Sequence, residues 1–571
     1  MKYKLIQNSL NDKYNIIKTV LLNRGVQNWE KYLSLDESCC NDYNDLDNIY
    51  NAVELFVSHF AQSNPISILV DCDPDGYTSA SMMYNYIKEL DVNYPVQYII
   101  HKSNKAHGLA DMDNGDFELP KGTRLFIIPD AGSNDIEQLN MLASQGVDCI
   151  VLDHHEIEAT SKQCTHAIIV NNQSSNNYSN KDFSGAGVVY EFLRALDEHY
   201  WANSADKYLD LVSLAQISDV MDLRSAPTRY YVNKGLENIL NPMFKAIIKA
   251  QDYSLKGEIS PYNIAWYITP ILNSIIRVGS YEERELLFRA FIGDYQEFDY
   301  KKRDGTIVKE NIYDRASRLS KNAKSRQDKL RDKLFNSLLK KANLDDKIVI
   351  IETEEDLSGL GGVSAMKLSE NISRPVVVLK KLDDSRLGGS CRNYDNSPID
   401  SLKDVLNETG LFETKGHANA AGAFIDIKDL PKARELLNKK LKDVVYDSSY
   451  LVDFIMDIDD IDVSFISDVN SFHSIWCTGI KEPLVAVTNI TIARKDIKIQ
   501  GKDNNSIAFE YNGIKFVQFK MQPEDPLLAF INEWGEPEDE IYFDIVGTCT
   551  INNYEGKSQA QFIIKDTQRT N

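Results

Sequence analysis

Apolar runs that stop abruptly at acids or histidines set the character of the first half of the chain. Ile68-Leu69-Val70 runs into Asp71-Cys72-Asp73-Pro74-Asp75-Gly76. Leu125-Phe126-Ile127-Ile128-Pro129 runs into Asp130, and Cys149-Ile150-Val151-Leu152 into Asp153-His154-His155. Leu214-Ala215-Gln216-Ile217-Ser218 leads to Asp219. From residue 65 to 225 the pattern repeats as strand, loop and helix, with helices predicted over 78–90, 134–144 and 187–196. Met82, Met83, Tyr86 and Ile87 make the apolar stripe of the first of these. Such alternation predicts an α/β fold with a parallel sheet covered on both faces. In open sheets of this kind ligands bind outside the carboxyl ends of the strands.

Elsewhere the pattern changes. Residues 1–60 read as helical, with Tyr50, Val53, Leu55, Phe56 and Phe60 near helical spacing. Residues 310–343 are charged and poor in glycine and proline, which predicts a long helix. A solvated spacer is the simpler reading of it, and a nucleic-acid surface the other. Lys347-Ile348-Val349-Ile350-Ile351 opens a second α/β unit. After residue 480, Leu484-Val485-Ala486-Val487, Ile497-Lys498-Ile499-Gln500, Ile514-Lys515-Phe516-Val517 and Ile541-Tyr542-Phe543-Asp544-Ile545-Val546 are short strands between turns, as in a small β-barrel. The expected division is an N-terminal helical segment (1–60), a catalytic domain (61–240), a helical connector (241–345), a second α/β domain (346–445) and a barrel (446–571).

Composition narrows the class. The chain has 571 residues, 43% hydrophobic and 26% charged, which fits a soluble globular protein of several domains. No apolar stretch approaches the ~20 residues that span a bilayer, so no membrane partner is expected. The N-terminus has no signal-peptide core. Eight cysteines without a C-x-x-C pair indicate neither a zinc ribbon nor a disulfide framework. A reduced, cytoplasmic setting is the expectation. The net charge of −22 argues against a protein that coats nucleic acid non-specifically. It leaves a nuclease open, because metal ions invert the sign inside a carboxylate-lined cleft.

Asp73 and Asp75 lie two apart on a loop leaving a strand, so both carboxylates can turn toward one cavity. Carboxylates this close repel, and a divalent cation relieves them. Asp130, His154 and Asp219 complete a mixed oxygen and nitrogen set, which suits Mn²⁺ or Mg²⁺, and the imidazole favours Mn²⁺. Asp71 either joins the set or orients a ligand from behind it. A carboxylate bridging two ions about 3.5–4 Å apart would help activate water and stabilise a leaving oxygen.

These four motifs, taken as Asp71 to Gly76, Asp130-Ala131-Gly132, Asp153-His154-His155 and Ser218-Asp219-Val220, resemble in order those of the DHH phosphoesterase superfamily. Within it the chain is similar to the RecJ family of 5′→3′ exonucleases specific for single-stranded DNA. The resemblance implies two Mn²⁺ ions, Mg²⁺ being the alternative. Asp73, Asp75, Asp130, His154 and Asp219 match the ligands, with Asp130 bridging, and His155 matches the residue that contacts the scissile phosphate. Gly359-Leu360-Gly361-Gly362, Gly388-Gly389-Ser390-Cys391-Arg392 and Gly416-His417-Ala418-Asn419-Ala420-Ala421-Gly422 resemble the DHH-associated domain. Glycine-rich loops let amides approach phosphate oxygens, and Arg392 adds a fork of donors. Ser390, Arg392 and His417 are therefore candidate phosphate contacts. So is Arg277, in a Pro270-to-Arg277 segment that resembles the one holding the DNA end. Lys102 stands where the family tends to show arginine, keeping the charge without the bidentate fork. Gly479-Ile480-Lys481-Glu482-Pro483 and Asn552-Asn553-Tyr554-Glu555-Gly556 resemble landmarks of the family's OB-fold. Tyr511, Phe516, Phe519 and Tyr554 are its candidate stacking platforms for single-stranded DNA.

The resulting expectation is a monomeric Mn²⁺-dependent 5′→3′ exonuclease of single-stranded DNA in repair, recombination or replication. A single-strand-binding protein or a helicase would be its partner. Two alternatives stand beside it. One is a phosphodiesterase of short oligonucleotides or cyclic dinucleotides. The other is a catalytically silent RecJ-like scaffold in a replication complex, which should have lost metal ligands.

Overall fold

The computed structural model describes residues 1–7, 12–104, 106–157, 164, 166–355, 357, 360–395, 397–446, 449–501, 503–523, 525–533, 535–554 and 557–570, the Tyr554 side chain excepted. Five strands build the first sheet: β1 (Ile66–Val70), β2 (Val96–Ile100), β3 (Leu125–Pro129), β4 (Asp148–Asp153) and β5 (Ala167–Asn171). They pair in the order β2-β1-β3-β4-β5, all parallel. Parallel strands covered on both faces read as unbroken apolar runs. Ile66, Ile68, Ile127 and Ile150 pack on one side with helices α1 (Ile49–Ala61), α2 (Pro74–Leu90) and α4 (Gly185–Tyr200). Leu69, Phe126, Ile128 and Val151 pack on the other with α3 (Ile136–Ser144). The order reverses between β1 and β3, which opens a crevice at their carboxyl ends.

The fourth apolar run is not a strand. Leu214–Ser218 closes helix α5 (Leu209–Ser218), and Asp219 caps it. The helix is apolar all round because it is buried all round, and that erases the amphipathic period.

Residues 1–60 do not behave as one helical segment. Tyr3–Leu5 is a strand paired in parallel with Tyr450–Val452, and Ile16, Val20, Leu21 and Tyr32 enter the core of the C-terminal unit. Leu46 and α1, with Val53 and Phe56, join the first core instead, and Cys40 and Tyr43 pack against it. A strand whose partner lies far along the chain leaves no local periodicity.

Helices α6 (Thr269–Val278) and α7 (Tyr281–Phe291) lead to the 30-residue α8 (Ile312–Lys341), about 45 Å long at 1.5 Å per residue. It is a strut rather than a solvated spacer. Its first half buries Ile312, Ala316 and Ala323 in the first core, and its second half buries Leu334 and Leu338 in the next. That next domain has strands β6 (Val349–Glu352), β7 (Val376–Lys381), β8 (Arg386–Arg392), β9 (Phe412–His417) and β10 (Ala420–Asp426), with helix α9 (Gly361–Ile372). They pair β9-β10-β8-β7-β6, and only β6 and β7 are parallel. The C-terminal sheet has seven strands: β11 (Phe454–Asp457), β12 (Val485–Ala493), β13 (Lys498–Gln500), β14 (Ser506–Tyr511), β15 (Ile514–Gln518), β16 (Glu540–Tyr554) and β17 (Lys557–Arg569). Their order is β11-β12-β16-β17-β15-β14-β13. Among the described residues no helix is long and apolar enough to cross a membrane.

Candidate metal centre

The acids after β1 are positioned by helix starts. Asp73 is the N-cap of α2, accepting from the Gly76 amide at 2.9 Å, with Pro74 in the first turn. Asp75 lies in that turn and is fully buried. Its carboxylate accepts from the Gly185 and Ala186 amides at 2.7 and 2.8 Å, at the N-terminus of α4. A second helix thus supports an acid carried by the first. Asp130 follows β3 in the left-handed region, with φ 61°. A Cβ on Gly185 would stand 2.5 Å from its Oδ1, so only glycine allows α4 to approach this closely.

His154 brings the groups together. Its Nε2 lies 3.2 Å from Asp130 Oδ1, 3.4 Å from Asp219 Oδ2 and 3.9 Å from Asp75 Oδ2. Asp71, Asp73 and Asp130 make an adjoining set with oxygens within 4.8 Å of one another, so Asp130 belongs to both groups. Both oxygens of Asp130, Oδ2 of Asp219 and Nε2 of His154 are buried without a hydrogen-bond partner among the described residues. Burial and neighbouring carboxylates push Asp75 up to about 6, and Asp130 and Asp219 well above the usual carboxylate range. Burial drives His154 down to about 3, leaving a neutral imidazole with a free lone pair. Orphaned oxygens and an orphaned imidazole nitrogen converging on one space fit divalent cations of the Mn²⁺ or Mg²⁺ type.

Two acids of the motifs do other work. Asp153 accepts from the Ser133 amide at 3.0 Å, the His154 amide at 2.7 Å and the Nδ1–H of His155 at 2.8 Å. Asp71 accepts from the Gly108 amide at 2.9 Å and the Nδ1–H of His107 at 2.7 Å. Those partners outweigh burial and hold both carboxyls below the ordinary range. His107 was not among the sequence candidates. Its one signal is its place just before Gly108-Leu109, where the chain must turn back to the strand end.

The comparisons with known proteins bear on this arrangement. A family model described as the DHH family, N-terminal domain, matches residues 65–216, and one described as the RecJ OB domain matches 452–566. The SPbeta prophage-derived protein YorK of Bacillus subtilis strain 168, which carries the name of a single-strand DNA-specific exonuclease, is 34% identical over 581 residues. That match covers 100% of this chain and 98% of YorK. The chain belongs to the RecJ-like exonucleases of the DHH family. The single-stranded-DNA-specific exonuclease RecJ of Bacillus subtilis is 22% identical over 571 residues, covering 96% of this chain and 67% of that one. The crystal structure of RecJ with Mn²⁺ from Thermus thermophilus superposes with a TM-score of 0.72 at 18% identity, over 100% of this chain and 79% of that one, and shows the same fold. The parallel-sheet DHH domain and the terminal OB domain expected from the sequence are thus borne out, and the chain is an enzyme of a hydrolytic family.

In this RecJ-like chain the remaining candidates divide. Arg277, half-buried at the end of α6, has no side-chain partner among the described residues; burial lowers it and the Asp73 carboxylate opposes that. Arg392 ends β8 and donates to the Cys391 carbonyl at 2.7 Å. A Cβ on Gly362 would meet its guanidinium at 2.3 Å. Burial lowers Arg392, and the like charge of Arg277 adds to that, so the two forks share one region. Ser390 is on the same strand. His417, at the end of β9, is lowered by burial and by the charge of His155. Lys102 is different: it is exposed, and its ammonium donates to the Gly115 carbonyl at 2.9 Å.

The OB-domain candidates need correction. Phe516 is core, fully buried with its ring stacked on Phe509 at 4.9 Å, so neither face is open to a base. Tyr511 is half-exposed and donates to Asp459 at 2.7 Å, and Phe519 is exposed. The Tyr554 side chain, Glu555, Gly556 and Gly359 lie outside the described residues. Gly479 marks the joint to the catalytic unit, since a Cβ there would stand 2.0 Å from Asp222 Oδ1. The Leu223 amide donates to the Thr478 carbonyl at 3.2 Å, and Arg229 donates to the carbonyls of Ser474 and Ile475 at 3.0 and 2.9 Å.

Proposed function

We propose that this chain removes nucleotides from the 5′ end of single-stranded DNA by hydrolysis, using two Mn²⁺ ions, with Mg²⁺ as the weaker substitute, in DNA repair, recombination or replication. The single observation that carries the reading is the convergence of Asp130, His154 and Asp219 as buried, unsatisfied donors of a metal set beside Asp73 and Asp75. Bound ions would neutralise the clustered carboxylates, acidify a water and stabilise charge on the departing oxygen. The protein's own part is positioning. Asp75 is locked by two amides of α4, and Asp153 holds His155 toward the substrate side. Arg277 and Arg392 supply guanidinium forks for phosphates entering the cleft, and Ser390, His417 and Lys102 are proposed as lesser phosphate contacts. In the overall step water oxygen bonds to phosphorus, the bond to the 3′-oxygen breaks, and a water proton ends on that oxygen.

Single-strand specificity follows the names of YorK and RecJ, and the 5′ polarity follows the family resemblance. The catalytic unit is assigned to 61–240, the DHH-associated unit to 346–445 and the OB-like unit to 446–571, with 241–345 as the helical connector. The OB domain favours a long strand over dinucleotides, for which a stacking surface outside the cleft has no use. Retention of all five ligands counts against a silent scaffold. The deciding experiment digests strands labelled at either end, with and without a 5′-phosphate, in Mn²⁺ and in Mg²⁺. Release of 5′-labelled mononucleotides first, fastest in Mn²⁺, is the expected result. Strong preference for a dinucleotide, or intact strands in both metals, defeats the reading.

A further inference from the structure

Resting on the nuclease reading above, we propose that His107 is a catalytic residue. Its Nε2–H donates a hydrogen bond to a non-bridging oxygen of the phosphoryl group under attack, beside His155.

One device is used at two strand ends. His155 and His107 each donate Nδ1–H to a buried carboxylate at a strand end, Asp153 at 2.8 Å and Asp71 at 2.7 Å. A carboxylate accepts only, so in both rings Nδ1–H faces the carboxylate and Nε2 points away from it. The Asp71 charge raises His107 to about 10, so its Nε2 carries a proton as well and can donate. The two rings meet edge to face with centroids 4.7 Å apart. Both side chains reach solvent, His107 at 51% and His155 at 30% exposure. The charge of His107 is felt at Asp73, His154 and Asp219, so the ring lies close to the metal set.

The surrounding loop is built to keep it there. Gly108 has φ +62°, and a Cβ on it would collide with Asp135 Oδ2 at 2.3 Å. That oxygen accepts from the Leu109 amide at 2.7 Å. At the other end of the loop the buried Arg284 guanidinium, on α7, donates to the carbonyls of His101, Lys102 and Ser103 at 3.0, 2.7 and 3.3 Å. Asn104 donates to the Arg277 carbonyl at 2.5 Å. Among the described residues those carbonyls are its hydrogen-bond acceptors, so this buried arginine fixes the loop. Fixed donors aimed where phosphoryl charge develops lower a barrier more than mobile ones. His107 forms no covalent bond in the step, and it neither gains nor loses a proton overall.

The test uses the full chain with Mn²⁺ and a 5′-labelled single strand, comparing wild type with His107→Ala and His107→Gln. H107A should lower kcat about a hundredfold with Mn²⁺ affinity by calorimetry unchanged, and H107Q, which keeps a neutral donor, should fall between the two. A terminal phosphorothioate supplies a readout that a structural role would not move. The sulfur penalty for one diastereomer should shrink in H107A. Wild-type kcat in H107A or H107Q overturns the proposal. So does a loss traced to Mn²⁺ affinity with the sulfur penalty intact. If H107A does not fold, H107Q decides by the same two readouts. If wild type itself leaves the strand intact, the nuclease reading fails and the proposal falls with it.

Discussion

Asp130 and Asp453 are each 1% exposed, yet the protein treats them in opposite ways. Asp453 lies where the N-terminal segment joins the OB unit. It accepts from Arg24 twice at 2.8 and 2.9 Å, from Asn23 at 2.9 Å and from the Leu484 amide at 3.0 Å. Asp130 lies at the β1/β3 crevice with neither oxygen hydrogen-bonded among the described residues. A buried acid with a complete set of donors holds two segments together. A buried acid with none, facing a second and a third acid, is stable only with a ligand or a proton. Equal burial therefore separates a structural acid from a functional one only once the partners are counted.

Substitutions at the two acids should have opposite effects. Asp130→Asn keeps the volume and removes the charge. Nuclease activity should fall by at least about a thousandfold, while the melting temperature in EDTA stays level or rises because a repulsion is removed. A clear loss of apo stability would mean Asp130 is structural after all. Asp453→Ala should do the reverse. It strands the Arg24 guanidinium, 12% exposed, and should cost about 3–5 kcal/mol in denaturant unfolding. The folded fraction should keep its kcat, and lost turnover at full folding would contradict the division.

A pH series sharpens the contrast with a smaller effect. Asp75 is raised from 3.8 to about 6, and Asp130 and Asp219 are raised further. The folded apo protein therefore binds more protons than the unfolded chain between those values. Its stability should fall as pH rises from about 4 through about 6 and not recover at higher pH. Mn²⁺ should reverse that trend, with the melting-temperature gain on adding it growing from pH 5 to pH 8. A gain independent of pH would show that the carboxylates are already ionised without metal.

Much of the centre was legible because strand ends are legible. Val70, Pro129 and Leu152 close runs buried on both faces, so the polar residue that follows must emerge at the sheet's carboxyl edge. Asp73, Asp75, Asp130 and His154 were found this way. Asp219 was found from the apolar run before it, although that run is a helix and not a strand: buried all round, it has no period to tell the two apart. Phe516 was misjudged, although its alternation with Ile514 put it on the core face. Arg284 left no pattern and His107 only its place before Gly108-Leu109, because their partners are carbonyls and a carboxylate set by loop closure.

The chain's own order of residues determined the elements: where apolar runs occur, which acids and histidines terminate them, and that the second domain and the OB strands follow. Those are local consequences of side-chain periodicity and backbone preference. Only the tertiary structure decided which acids stay unpaired. Whether a carboxylate meets Arg24, an α4 amide or another carboxylate depends on segments tens to hundreds of residues away. Close approaches such as Gly185 against Asp130 exist only once the sheet, the helices and the strut α8 have packed.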